Sequence, residues 1–133
     1  MKQIFAIITL MILSSCVNNI SVTKNQLIGS WKVNRVIKEP TAQMLKGFSE
    51  STFKFDDSGV FQLISTSDSE QFTEIVEWFK EAKWKFDIDE QLIKIGNEED
   101  GYSTMRIYVK KDKGVLLFDF DESEMELEMV KTE

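Results

Sequence analysis

Apolar and polar residues alternate along most of the chain, which is the pattern of half-buried β-strands. In Ser51–Asp56, Phe53 and Phe55 fall on one side of the backbone and polar residues on the other. Turn signals separate most of these segments; in Asp56–Gly59, aspartate bonds its own backbone and glycine accepts a positive φ. The pattern predicts eight strands, at 29–38, 51–56, 60–65, 83–88, 91–96, 104–109, 116–121 and 124–129.

One segment, Ser69–Ala82, breaks the alternation. Its apolar residues recur at i, i+3, i+4 and i+7, which predicts an amphipathic helix with Ser67, Asp68 or Ser69 as its cap. These residues are Phe72, Ile75, Val76 and Phe79. A shorter helical spacing of Met44, Leu45 and Phe48 predicts one or two turns within 41–49.

Short connections between successive strands predict an antiparallel meander. Eight strands suffice to close a meander into a small barrel without edges, so we expect an all-β, up-and-down barrel with one short helix after the third strand. A β-sandwich is the rival, but it usually needs crossing connections. The residues predicted to face inward are Trp31, Val33, Phe53, Phe55, Phe61, Leu63, Trp84, Phe86, Ile107, Val109, Phe118, Phe120, Leu127 and Met129, and the same face of the first strand includes Ile37.

The N-terminus has the organisation of a cleaved signal. Lys2 precedes an apolar run, Ile4–Leu13, that is too short to span a bilayer. The run ends in Leu13-Ser14-Ser15-Cys16, which resembles the lipobox of bacterial lipoproteins at all four positions. The resemblance implies cleavage before Cys16, acylation of Cys16 and anchoring by its acyl chains.

These signals divide the chain into three parts: a signal peptide at 1–15, a flexible, mostly polar tether at 16–26, and a barrel domain at 27–133. Because no aspartate follows Cys16, we expect a cell-envelope location on the outer membrane; the periplasmic and the surface side both remain open. An ordinary secretory signal and a buried free thiol are the alternatives.

Composition limits the chemistry. The 133 residues include no histidine and one cysteine, which excludes imidazole catalysis, an internal disulfide and a multi-cysteine zinc site. The net charge of −7 becomes −8 once cleavage removes one lysine and no acid, and an acidic domain repels nucleic acid. We therefore expect no enzymatic activity, no cofactor, no metal and no nucleic-acid partner, and we expect a monomer.

Short motifs in the barrel domain resemble those of lipocalins. Leu27, Gly29 and Trp31 match the Leu-x-Gly-x-Trp opening of the small lipocalin-like lipoproteins common in Bacteroidota, and the resemblance extends to about Val130. The other matching motifs are Phe53-x-Phe55, Asp56-x-x-Gly59 and Trp84-x-x-Asp87. The resemblance implies that Trp31 plugs one end of the barrel.

One position departs from the lipocalin pattern. Lipocalins place a late arginine over the tryptophan of that motif. Here the last strand offers only Lys131, and the two arginines are Arg35 and Arg106. If the register of its strand were reversed, Arg106 would face inward and could hold a ligand carboxylate.

The inward aromatic residues either fill the barrel or line an apolar pocket at one mouth. If a pocket is present, its candidate residues are Trp31, Phe53, Phe55, Phe61, Trp84, Phe86 and Phe118, with Phe72, Ile75 and Phe79 as a lid. The alternative places the helix on the flank of the barrel.

Acidic residues cluster at predicted turns, where solvated carboxylates are common. The clusters are Asp56-Asp57, Asp87 with Asp89-Glu90, Glu98–Asp100, and Asp119 with Asp121-Glu122. Glu124, Glu126 and Glu128 alternate along the last strand and predict a wet outer face, or an acidic patch for a basic partner.

Two functions follow as hypotheses. The first is an anchored, lipocalin-like lipoprotein that binds a small apolar or amphipathic ligand in its barrel. The alternative is a filled barrel that acts as a protein-interaction, assembly or inhibitor module of the cell envelope. The expected partners are the membrane, through acyl chains on Cys16, and either the ligand or an envelope protein.

Overall fold

A computed structural model describes residues 21–132; the predicted signal peptide and Cys16 lie outside these residues. Three short helical segments accompany the strands: α1 (Lys24–Leu27), the 3₁₀ helix η1 (Gln43–Glu50) and α2 (Glu70–Glu77). The strands are β1 (Gly29–Lys38), β2 (Ser51–Phe55), β3 (Phe61–Ser65), β4 (Lys83–Asp87), β5 (Leu92–Gly96), β6 (Met105–Asp112), β7 (Val115–Phe120) and β8 (Met125–Lys131).

All eight strands form one antiparallel sheet in the order β3-β2-β1-β8-β7-β6-β5-β4. Every neighbour in this order is also a neighbour in sequence, apart from β1 and β8, whose pairing wraps the sheet around. Between β3 and β4 the barrel is closed by a bridge from Val60 to Lys83. Beside this bridge the Phe61 N–H donates to the Ala82 carbonyl at 3.0 Å. The predicted all-β, up-and-down barrel is confirmed.

The two ends of the barrel differ. One end, which we call the tether end, carries residues 21–28 together with the β2–β3, β4–β5 and β6–β7 turns. The other end, which we call the helix end, carries η1, α2 and the β5–β6 and β7–β8 turns. The chain therefore enters the fold at the end opposite its helical cap.

Val22, which belongs to the predicted tether, is held against the tether end of the barrel. The Val22 N–H donates to the Gln91 side-chain oxygen at 2.7 Å, and the Gln91 amide donates back to the Val22 carbonyl at 3.0 Å. Val22 and Leu27 are buried. Within the described residues, the last part of the predicted tether is therefore bound to the barrel from Val22 onward, because the Gln91 amide pairs with its backbone.

The first strand corrects one predicted core position. Its pairing with β8 is irregular between Val33 and Arg35 and again between Val36 and Lys38. An extra residue in one strand of a pair reverses the facing of the residues that follow. Val36 therefore packs against the core, whereas Ile37, predicted inward, is 37% exposed.

The helix end is closed by α2 and η1 packed on one another. The Ser69 hydroxyl accepts from the Phe72 N–H at 3.3 Å, as the predicted cap requires. α2 ends at Glu77, earlier than the predicted end at Ala82. The chain continues beyond Glu77 in tight turns; in one of them the Ala82 N–H donates to the Phe79 carbonyl. Phe48 of η1 lies 4.9 Å from the Phe72 ring, centroid to centroid, so the two segments form one apolar cap.

The contact between η1 and α2 depends on Gly47. A methyl group built on Gly47 would overlap the ring of Phe72, which is itself buried on all sides. We expect Gly47→Ala to lower the free energy of unfolding by about 1–3 kcal/mol, measured by urea denaturation, because an overpacked core must shift its neighbours.

Two comparisons isolate this overlap. Lys46→Ala alters an exposed neighbour in the same helix and should change stability by less than about 0.5 kcal/mol. Phe72→Leu should cost less in the Gly47→Ala background than in the wild type, because the smaller side chain relieves the overlap. An unchanged unfolding midpoint for Gly47→Ala would show that η1 does not pack against Phe72.

Candidate binding site

The aromatic residues predicted to line a pocket are packed against each other in the barrel interior. Phe118 lies at the centre of the group, with ring centroids 5.9 Å from Phe53, 6.1 Å from Phe55 and 6.2 Å from Trp31. Phe55 in turn contacts Phe61 and Trp84 at 5.3 and 5.1 Å. All of these side chains are buried, whereas Phe86, the remaining candidate, is only partly buried. The structure therefore places these candidates in a filled core.

Hydrogen bonds hold both inward-facing tryptophans at the tether end. The indole N–H of Trp31 donates to the Leu27 carbonyl at 2.8 Å, and that of Trp84 donates to the Asp56 carbonyl at 2.7 Å. Buried indoles need such a partner. These bonds tie α1 and the β2–β3 turn to the core and define the walls of the tether end.

Open space for a ligand lies at the two ends of the barrel. A cleft of about 400 Å³, which we call the tether-end cleft, lies beside α1, and its lining includes Val22, Trp31, Leu116 and Met129. A smaller cleft of about 260 Å³, here the helix-end cleft, lies between α2 and the start of β6. Only Trp31 among the predicted pocket residues lines the first cleft.

Two lysines belong to the inward-facing side of the tether-end cleft. Lys131 pairs with Trp31 across β8 and β1, and Lys111 pairs with Leu116 across β6 and β7. Cross-strand partners project from the same face of a sheet. Both lysines therefore continue the inward set at the mouth of the barrel and line the cleft.

Neither cleft lysine has an acidic partner within residues 21–132. The Lys131 ammonium lies 5.7 Å from the Trp31 ring centroid, which is a cation–π distance. Lys131 thus lies over the Trp31 ring at the mouth of the barrel. The cleft combines two lysines that lack an acidic partner in the described region with a mostly apolar floor; Glu128, which also lines it, is paired with Arg35.

Alternation could have identified these two lysines from sequence. The predicted strands end at Val109 and Met129, but β6 and β8 each extend two residues or more beyond. If the alternation of inward and outward residues is continued past these ends, Lys111 and Lys131 fall on the inward face. A lysine at an inward position marks the place where the barrel interior opens to water.

The helix-end cleft has a different character. Phe48, Phe79 and Phe120 contribute to its apolar lining, and Arg106 lies at its edge. Arg106 is 4.0 Å from Asp121, so its charge is partly matched. Ile107 and Val109 face the core as predicted, and the reversed register that would place Arg106 inside is wrong.

The three residues predicted as a lid form part of the cap at this end. Phe72, Ile75 and Phe79 are buried, and Ile75 and Phe79 also line the helix-end cleft. The Phe72 ring contacts Phe48 and the Phe79 ring contacts Phe61, at 4.9 and 5.7 Å between centroids. That these residues move as a lid to admit a ligand stays a prediction.

The acidic residues of the last strand are mostly paired rather than free. Glu128 lies 3.2 Å from Arg35 and Glu126 lies 3.5 Å from Lys110, with side chains only 14% and 11% exposed. The hydrogen bond from the Lys110 ammonium to Asp119 is the main cause of the raised pKa of that lysine, and Glu126 makes a smaller contribution in the same direction. Glu124 lies in the preceding turn at φ 57°. The expected wet ladder is wrong, because neighbouring strands supply basic partners.

Carboxylates at the turns accept hydrogen bonds from nearby backbone N–H groups. Asp100 accepts hydrogen bonds from the N–H groups of Asn97 and Tyr102, at 3.1 and 2.9 Å, and the Asn97 bond is the main cause of its lowered pKa. Asp56 acts in the same way toward Ser58, which lowers the pKa of Asp56. Within residues 21–132 no three carboxylates or thiols come together in a geometry that could hold a metal ion.

Comparison with protein-family models, with curated proteins and with solved structures found no match. Among the helices of the described region, none has the length and apolar character needed to cross a bilayer.

Proposed function

We propose that this protein is a lipid-anchored envelope protein that binds a small amphipathic anion in its tether-end cleft. The observation that carries the proposal is the position of Lys111 and Lys131 above an apolar floor, with no acidic partner for either within residues 21–132. An acyl or other apolar group would lie on Trp31, Leu116 and Met129, and an anionic head group would contact the two ammonium groups. The cleft volume of about 400 Å³ lies in the range of small-molecule sites.

The anchor is the second part of the proposal. The lipobox ending in Cys16 supports acylation there, and the absence of an aspartate directly after Cys16 supports an outer-membrane location. Only five residues would separate Cys16 from Val22, which is held at the mouth of the cleft. At about 3.3–3.6 Å per residue, this tether keeps the cleft within about 20 Å of the bilayer. A ligand that partitions into membranes would therefore be concentrated near its site.

Charge reversal at the two lysines tests the ligand site. In the full chain carrying Cys16→Ser, we expect a dansyl-labelled fatty acid to bind saturably and Lys111→Glu/Lys131→Glu to raise its Kd about tenfold or more. Two partly exposed ion pairs of up to about 1 kcal/mol each account for that change. Fluorescence titration measures it.

A matched control separates the site from net charge. Lys32→Glu/Lys113→Glu changes the charge by the same amount at the same end, yet neither residue lines the cleft. It should leave the Kd within about twofold, and the uncharged methyl ester of the probe should bind more weakly than the acid. Equal loss in both double variants would mean that no head-group site exists at Lys111 and Lys131.

The second candidate is the interaction module. The close packing of the aromatic rings in the interior favours it, since a densely packed barrel acts through its surface. Pairing of Glu126 and Glu128 with basic neighbours removes the acidic ladder as its contact. A different surface, at the helix end, supports this function better.

A further inference from the structure

We propose that the surface around Trp78 docks a basic, partly apolar segment of another protein. Trp78 follows α2 directly and is 62% exposed, more than any other large apolar residue in the described region. Trp31 and Trp84 are buried by contrast. Tryptophan dominates binding energy at protein interfaces because it buries a large rigid surface and keeps a polar N–H. This inference is independent of the ligand proposed for the tether-end cleft.

Trp78 stands between two depressions. On one side lies the helix-end cleft, where Phe79, Met105 and Phe120 offer apolar surface. On the other side lies a groove of about 440 Å³ that runs past Ala82 and Gly96. An apolar side chain inserted in the first depression and a backbone laid along the second would both contact the indole. We call Trp78 with these two depressions the Trp78 surface.

Charge around the Trp78 surface selects the partner. Its lining includes the exposed carboxylates of Glu77, Glu81, Asp121 and Glu122, against the basic groups of Lys80 and Arg106. Arg106 is already matched by Asp121 at 4.0 Å. Excess negative charge attracts lysine and arginine side chains and repels phosphate, so a basic protein segment fits where nucleic acid or an anionic bilayer does not.

The position in the fold leaves this surface accessible. It lies at the helix end, whereas Val22 and the chain leading back to residue 21 lie at the tether end. If Cys16 is acylated as proposed above, the Trp78 surface points away from the membrane. The docking itself does not depend on the anchor.

A labelled peptide titration tests the docking. The probe is a fluorescent peptide of alternating lysine and leucine, and its counterpart replaces every lysine by glutamate. With the full chain carrying Cys16→Ser, we expect saturable binding of the basic peptide by anisotropy and no binding of the acidic one. Trp78→Ala should weaken binding about tenfold or more, and Glu77→Lys/Glu122→Lys about fivefold or more.

Controls locate the contact. Asp57→Lys/Glu90→Lys makes the same change in charge at the tether end and should leave the affinity within about twofold. All substituted residues are exposed, so the variants should unfold at the wild-type urea concentration. Equal binding of the two peptides, or binding unaffected by Trp78→Ala, would overturn the proposal. Displacement of the peptide by an uncharged acyl probe would instead identify the helix-end cleft as a small-molecule site.

Discussion

Phe118→Ala should lower the free energy of unfolding by about 3–5 kcal/mol, measured by urea denaturation. Phe118 is fully buried, and its ring contacts those of Trp31, Phe53 and Phe55 at the centre of the barrel. Removing a ring from a packed core forfeits its transfer free energy and leaves a cavity that rigid neighbours fill only in part. Because domains of this size are stable by about 5–15 kcal/mol, this loss is a large fraction of the total.

The same substitution distinguishes a filled barrel from a hollow one. Phe118→Ala should create a dry apolar space that binds benzene, so benzene should raise the thermal midpoint of the variant and leave the wild type unchanged. Phe86→Ala, at a partly exposed aromatic position, should cost clearly less stability. A small loss for Phe118→Ala together with benzene binding by the wild type would mean that the interior already contains a cavity.

Cys16→Ser should move the protein completely from the membrane fraction to the soluble fraction of its host. Acylation supplies about 0.8 kcal/mol per buried methylene, and several chains together anchor a protein stably. After the predicted cleavage the net charge would be −8, which opposes electrostatic attachment to anionic lipid. Fractionation followed by immunoblotting measures the change.

Mass spectrometry of the N-terminal peptide completes this test. The wild type should begin at Cys16 with the added mass of its acyl groups, and Cys16→Ser should carry none. Ser15→Ala keeps a small residue before the cleavage site and should leave the protein in the membrane. Recovery of Cys16→Ser with the membranes, or of a wild-type peptide without lipid, would contradict the anchor.

The strands were predictable because their alternation is local. Phe53 and Phe55 face the core in β2 as the pattern requires, and the same holds for Ile107 and Val109 in β6. Ile37 was not predictable, because the irregular pairing of β1 with β8 depends on a partner about ninety residues away. Likewise, the bond pair between Val22 and Gln91 joins residues distant in sequence, so the attachment of Val22 to the barrel has no local signal.

The candidate site was harder to predict than the fold. Aromatic density identifies the residues that face inward, but whether rings such as Phe118 fill the barrel depends on its closure and strand tilt. Those quantities follow from register, which composition does not set. Lys111 and Lys131 had a usable signal in the continued alternation, yet their proximity to Trp31 and Leu116 required the cross-strand pairing.

Mapping by NMR shows whether a ligand binds at the tether end, over a packed interior. Titration of decanoate into the full chain carrying Cys16→Ser should shift the amide resonances of residues around the tether-end cleft, including Val22, Lys111, Leu116, Met129 and Lys131. Resonances of Phe53 and Phe61, in the filled core, should stay in place. Shifts at Phe53 and Phe61, or no saturable shifts at the cleft, would contradict the account.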